Sequence, residues 1–478
     1  MSRLPAVRPN LVVLVLALGG IVVSLMQTLV VPLIPRLPAL LHASAADSTW
    51  VITATLLAGA VATPVVGRLG DLYGKRRMLL VSLVLLVAGA VVAALSDTLV
   101  PMIVGRALQG LAAGVIPLGI SIMRDELPAE RLGSATATMS ASLGVGGALG
   151  LPAAAFLAEN TDWHVLFWTA AGLGVLVTVL VSTCVPESST RARGRFDLVG
   201  AAGLSAALVC LLLAISKGAA WGWTSGVTLG LFSAAAAVLL LWGWWELRTA
   251  SPLVDLRTTA RRQVLLTNLT SAVFAFAMFA MSLVLPQILQ LPAATGHGLG
   301  QSLLVTGLVL VPSGLVMLMI APLSARITST AGPKVTLMLG TLVVAAGYGL
   351  GVGLMSAVWQ LLLVSAVIGG GIGLAYGAMP ALIMGAVPVS ETAAANSLNT
   401  LMRAIGTSVS SAVAGAVLAQ LTVRFGPAAI PTEGAFRLVM ALGCATALAA
   451  LAIAAFIPGT GPVRPRPVPE RAMAGDRS

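Results

Sequence analysis

Fourteen continuous apolar runs, each about twenty residues long, alternate along the chain with short polar segments. A run of ~20 residues spans the ~30 Å hydrocarbon core of a bilayer as a helix. Inside that core each backbone N–H and C=O must be satisfied within the segment or by a closed barrel. Barrel strands would be decamers alternating apolar and polar, and these runs do not alternate. The composition agrees, with 58% hydrophobic and 9% charged residues against about 25% charged in soluble domains. The expected fold is therefore an all-α polytopic membrane protein. The runs fall at residues 10–34, 50–69, 78–95, 99–123, 133–158, 163–185, 198–216, 227–245, 264–291, 302–327, 335–355, 359–386, 393–421 and 435–457. The first run follows Arg3 and Arg8 but is too long for a secretory leader and lacks a small-residue cleavage site, so it reads as a retained span.

The basic residues give the orientation. With the N-terminus inside, 21 of the 27 Lys and Arg fall in cytoplasmic segments and four in outer ones, while Arg106 and Arg403 lie within spans. This bias predicts both termini inside. It also accounts for the net charge of +11, which would otherwise invite a nucleic-acid reading. The charges punctuate apolar spans instead of forming a basic face, so no nucleic-acid partner is expected. Cys184, Cys210 and Cys444 all sit inside apolar runs, so neither a disulfide framework nor a metal site is expected.

The first cytoplasmic turn between long spans reads Gly67-Arg68-Leu69-Gly70-Asp71-Leu72-Tyr73-Gly74-Lys75-Arg76-Arg77. An ordinary positive-inside loop explains the arginines but not Gly67, Gly70, Asp71 and Gly74 at these spacings. The glycines allow close helix approach and a sharp reversal. Asp71 among Arg68, Lys75, Arg76 and Arg77 is expected to build a charge cluster that holds the turn against a neighbouring helix. The pattern recurs 258 residues later, where Pro322 and Gly332 repeat Pro64 and Gly74. Spans 9–14 thus read as a weakened copy of spans 1–6. The expected organisation is a six-helix bundle at 1–190, an inserted helix pair with basic flanks at 191–262, a second six-helix bundle at 263–458 and a disordered cytoplasmic tail at 459–478.

The turn at 67–77 closely resembles the signature loop between spans 2 and 3 of the major facilitator superfamily. Further segments carry the resemblance: Trp50-Val51-Ile52-Thr53-Ala54, Arg106-Ala107-Leu108-Gln109-Gly110, Arg195-Phe196-Asp197-Leu198-Val199-Gly200, Trp221-Gly222-Trp223 and Pro252-Leu253-Val254-Asp255-Leu256. Together they resemble the fourteen-span branch of drug:proton antiporters. The resemblance implies two bundles rocking about a central cavity in a monomer of the cell membrane, with proton entry exchanged for drug export.

Candidate site residues follow. An arginine inside a span is costly, by about 2.5–3.5 kcal/mol on insertion scales, and usually faces a cavity. The family's arginine matching Arg106 is implicated in proton coupling, and Gln109 shares its helix face. The alternative is an arginine tied to backbone carbonyls at a helix junction. Asn396, Asn399 and Arg403 form one polar stripe, either lining the cavity or bonding between helices. In span 1 the family typically has an aspartate where Met26 stands, followed by Gln27. All sixteen acids fall in loops, tails or span ends, so no carboxylate lies at mid-membrane. The helix-bend motif of span 5 is also altered. Gly144, Gly147 and Gly150 are present, but Pro152 is displaced and Ala154-Ala155 stand for a glycine pair.

Enzymatic and ATP-driven readings find no support. Lys75, Lys217 and Lys334 are the three lysines, and none precedes Ser or Thr, so no Walker A loop exists. No cofactor is implied. His42, His164 and His297 lie on the outer side, as interfacial residues or external pH sensors. Most tryptophans mark span ends, as an aromatic belt does. The expected function is export of drugs or amphipathic metabolites, with protons as the candidate coupling ion and lipids as surroundings. A facilitator, or a receptor or scaffold on a transport fold, is the alternative. The topology is testable: reagents confined to the cytoplasm should label a cysteine introduced between Arg191 and Arg195, and only outside reagents one introduced beside His297. Cytoplasmic labelling at His297 contradicts fourteen spans.

Overall fold

A computed structural model describes residues 9–34, 36–188, 190–425 and 428–459. Arg3, Arg8 and the expected tail from residue 460 onward lie outside the described residues. Fourteen helices are long and apolar enough to cross a membrane. They are span 1 (Pro9–Thr28), span 2 (Trp50–Tyr73), span 3 (Lys75–Ala94), span 4 (Leu99–Glu126), span 5 (Glu130–Ala158), span 6 (His164–Cys184), span 7 (Leu198–Trp221), span 8 (Gly226–Arg248), span 9 (Arg262–Gln290), span 10 (Leu303–Ala331), span 11 (Pro333–Gly353), span 12 (Val358–Met384), span 13 (Val389–Gln420) and span 14 (Glu433–Ala455).

Four departures from expectation change where a residue or segment lies. Span 1 stops at Thr28 and a 3-10 turn follows at Val31–Leu33, because Pro32 has no N–H to continue the ladder. Span 7 runs on to Trp221 and takes Lys217 out of the outer loop. Lys217 is 5% exposed, and its ammonium donates to Thr49 Oγ1 and lies 4.4 Å from the centre of the Trp50 ring. Span 8 likewise takes in Glu246, which is buried rather than in a loop. Finally, the all-α expectation holds for the spans but not for the outer connection between spans 13 and 14. There β1 (Thr422–Phe425) pairs antiparallel with β2 (Ala428–Pro431), Thr422 opposite Pro431. Alternating Thr, Val and Phe suit a short strand outside the bilayer.

Spans 1–6 build one apolar core and spans 9–14 another. The two bundles meet most extensively along spans 5 and 10. A methyl group on Gly314 would stand 2.6 Å from the Gly144 carbonyl oxygen, and one on Gly307 2.8 Å from the Pro152 nitrogen. Small residues thus bring these backbones together as they do in other membrane helix pairs. Span 5 stays helical through Pro152. Its close approaches to span 1 are made by Gly146 and Gly150, the latter beneath Leu25 and Thr28, while a methyl group on Gly147 would stand 3.7 Å from Ser24 Oγ.

The inserted pair, spans 7 and 8, packs against both bundles. Leu204, Leu208 and Leu212 of span 7 share a small core with Ala60 of span 2 and with Leu398 and Leu401 of span 13. Because the span 5–span 10 contact is the broadest seam between the halves, Gly314→Val should lower the unfolding free energy of the detergent-solubilised protein by about 1–3 kcal/mol through overpacking. Thermal unfolding monitored by intrinsic fluorescence would read the loss.

Candidate functional site

The cytoplasmic ends of the two bundles are fastened together by two charged side chains. Asp71, fully buried near the end of span 2, accepts from Ala393 N at 3.2 Å and Ala394 N at 2.8 Å. These are unpaired N–H groups of the helix Thr392–Gln420, so the carboxylate caps that helix from the other bundle. The negative charge also sits at the positive end of the helix dipole. Gly67 permits the approach: a methyl group there would stand 2.6 Å from Ser397 Cβ.

Arg124, at the end of span 4, performs the opposite task. Its guanidinium donates to Met384 O at 2.8 Å, Val387 O at 3.2 Å and Thr392 Oγ1 at 2.6 Å. It thereby covers the carbonyls at the C-terminal end of span 12, where a cation is favoured. An acid on one helix start and an arginine on one helix end, both reaching across the bundles, close the cytoplasmic side. The structure is a cytoplasm-closed conformation.

The cations expected around Asp71 are distributed differently. Lys75, fully buried, pairs with Asp125 at 2.6 Å, and Ser188 Oγ donates to the same carboxylate oxygen. Arg76 donates to Ser182 O, and its backbone N–H reaches Glu187 Oε1 at 3.3 Å. Arg68 makes no ion pair among the described residues and lines a cavity instead. Gly70 packs on Leu118, and Gly74 takes a φ of 119° in the reversal, a region that favours glycine. Lys75 and Arg76 therefore secure their own bundle, and Asp71 is left to backbone amides of the other.

Deeper in the protein, Arg106 is 2% exposed. It donates to Gln109 Oε1 at 2.6 Å, Met26 O at 3.2 Å and Val51 O at 3.4 Å. It joins spans 1, 2 and 4, just before span 4 tightens into a 3-10 turn at Leu111–Gly114. Met26 is 2% exposed, while Gln27 is exposed. Arg403, 8% exposed, lies 4.5 Å from the centre of the Tyr376 ring and donates to Thr400 Oγ1 at 3.1 Å. Asn399 donates to Asn268 Oδ1 at 3.0 Å and Ser271 Oγ at 2.8 Å on span 9. Asn396 turns back to Thr392 O on its own helix at 2.9 Å. Among the described residues no carboxylate lies within ion-pair distance of Arg106 or Arg403.

Four participants went unnoticed in the sequence. Tyr376 is one of three tyrosines and stands alone in an apolar span, which is a usable signal. Asn268 and Ser271 are polar residues in span 9, the same signal that marks Asn396. Arg124 carried none, since its partners lie some 260 residues away along the chain.

The family model of the Major Facilitator Superfamily matches residues 16–411 and again 268–475. The chain belongs to the Major Facilitator Superfamily. An uncharacterized MFS-type transporter of Mycobacterium tuberculosis is 31% identical over 316 residues, covering 65% of this chain and 46% of its own length. The tetracenomycin C resistance and export protein of Streptomyces glaucescens is 30% identical over 342 residues, covering 71% of this chain and 62% of its own. The multidrug resistance protein Stp of Mycobacterium tuberculosis is 26% identical over 373 residues, covering 77% and 68%. The chain thus spans less than two thirds of the length of the first two. The human organic anion transporter MFSD10 superposes with a TM-score of 0.66 at 16% identity over 95% of this chain and all of that one. The proton:xylose symporter XylE superposes with a TM-score of 0.63 at 15% identity, covering 95% and 96%. Fourteen helices long and apolar enough to cross a membrane agree with that membership.

The clamp can be tested directly. Asp71→Asn and Arg124→Gln should each weaken the closed state by about 1 kcal/mol, or about fivefold in the open:closed ratio. Alkylation of Ser397→Cys by a cytoplasmic reagent, with the three native cysteines replaced, should quicken accordingly. Unchanged alkylation would mean that neither residue holds the gate.

Proposed function

We propose that this transporter exports amphipathic small molecules by alternating access, and that it prefers neutral or acidic amphiphiles over quaternary cations. The observation that carries the proposal is the pair of deeply buried arginines, Arg106 and Arg403, neither of which has a carboxylate beside it. At about 10 Å and an effective dielectric near 20, one unit charge opposes another by ~1.7 kcal/mol, more than tenfold in affinity. Two such cations repel a lipophilic cation and attract anionic or electron-rich groups. Export is supported by the resistance and export functions named for the relatives.

Proton coupling takes a particular form in this reading. The buried acids Asp71, Asp197 and Glu246 and the buried carboxylate of Asp125 sit at cytoplasmic helix ends, and Asp71, Asp125 and Asp197 hold structural partners. Of the rim acids, Glu159 is a candidate by position, while Asp97 is 83% exposed beside His164. A well-hydrated acid at the rim is poorly placed to exchange a proton for substrate. The proton is therefore carried by the substrate's own acidic group. A facilitator without proton coupling remains the competing reading, favoured by the absence of a mid-span acid among the described residues.

Flux into proteoliposomes of cationic, neutral and acidic amphiphiles, measured together with proton flux, tests this. Neutral and acidic compounds should move at least about tenfold better than quaternary ammonium compounds. Met26→Asp places a carboxylate on the helix whose carbonyl Arg106 grips, and should improve cation transport while impairing that of acids. Efficient export of a dicationic dye by the unaltered protein, abolished by collapsing the pH gradient, would overturn the proposal.

A further inference from the structure

A cavity of about 400 Å³ lies at the cytoplasmic level where span 2, the start of span 13 and the connection after span 8 converge. Arg68 of span 2 reaches into it. That residue is 7% exposed, its Nε is buried without a hydrogen-bond partner, and no carboxylate pairs with it. A guanidinium so enclosed ordinarily sits against an anion. Arg193, Arg248 and Arg257 stand around the same space.

The acids that line the cavity, Glu246, Asp255 and Glu391, are one fewer than its arginines. Asp255 is engaged by the N–H groups of Arg257 at 2.9 Å and Thr258 at 3.2 Å and by the Thr258 hydroxyl at 2.6 Å. Glu246 is buried beside Gly200, and neither of its carboxylate oxygens has a hydrogen-bond partner among the described residues. Glu391 is half-buried at the start of span 13. Four arginines therefore face three acids, and among the described residues none of these acids lies within ion-pair distance of an arginine of the cavity.

The surroundings indicate what kind of anion fits. Span 8, beside the cavity, is the least buried of the fourteen spans, and its Leu240, Leu241 and Trp244 are exposed. Arg248 lies 4.1 Å from the centre of the Trp244 ring, so the cavity mouth is at the depth of an aromatic belt, where headgroups lie. Leu253, Val254 and Leu398 supply apolar walls below. Phosphate oxygens suit the fork of an arginine, and acyl chains suit the exposed face of span 8.

We propose that this cavity holds the phosphate headgroup of an anionic phospholipid of the inner leaflet, and that the bound lipid stabilises the cytoplasm-closed conformation. The second part follows from the walls. Arg68 belongs to one bundle and Leu398 to the other, so parting spans 2 and 13 dismantles the site. A ligand that binds one conformation and not the other shifts the population toward the first.

Spin labels at Arg77→Cys and Arg326→Cys, exposed on opposite bundles, report the cytoplasmic separation in substrate-free proteoliposomes, with Cys184, Cys210 and Cys444 replaced by serine. Replacing part of the phosphatidylcholine by phosphatidylglycerol should raise the closed:open ratio about fivefold or more, and Arg68→Gln should abolish the rise. Should Arg68→Gln fail to insert, the double variant Arg193→Gln, Arg257→Gln should reduce it at least twofold. An unresponsive wild-type protein, or an Arg68→Gln protein that responds as wild type does, overturns the proposal. So does inorganic phosphate acting equally well in pure phosphatidylcholine, since the ligand is then a soluble anion. None of these readings depends on which compound is transported.

Discussion

The closed conformation depends on helix ends that cannot satisfy themselves. A helix leaves unpaired N–H groups at its start and unpaired carbonyls at its end, and inside a membrane protein those groups need partners from the protein. Here span 13 begins against Asp71 and span 12 ends against Arg124, both contributed by the opposite bundle. Each contact is lost when the bundles part, and water must then replace it. Such an exchange between protein and water partners would be worth a few kcal/mol, the scale on which a population can be shifted.

The architecture was legible because the bilayer imposes it. Apolar length and the placement of Lys and Arg are properties of single residues and their neighbours, and they fixed the spans to within a few residues. The errors arose where local composition misleads. Lys217 reads as a loop residue until Trp50 and Thr49 provide a cation–π and hydroxyl partner. Glu246 reads as the same until the fold buries it. The hairpin after span 13 was invisible because ten residues outside the bilayer carry no membrane signal.

The site was legible only in part, for a related reason. A charge within a span is conspicuous, so Arg106 and Arg403 could be named at once. What they touch is decided by packing between distant segments. Arg106 grips two backbone carbonyls, which every sequence possesses and none advertises. Arg403 lies on the face of Tyr376, and Asn399 reaches Asn268 and Ser271. The glycine-rich turn showed the converse: its spacing marked a close contact, but which of its cations would stay in its own bundle was a matter of tertiary geometry.

The inserted helices carry a mechanical consequence. Span 7 is fastened to the first bundle by directional polar contacts, Lys217 to Thr49 on the outer side, with Ala192 of the preceding loop donating to Asp71 O at 2.7 Å on the inner side. Its contact with span 13 is made of leucines. Polar contacts resist sliding because they hold one geometry, whereas aliphatic surfaces trade neighbours with little penalty. In an alternation of the two bundles such contacts would carry spans 7 and 8 with the first bundle, and the greased seam would lie between spans 7 and 13.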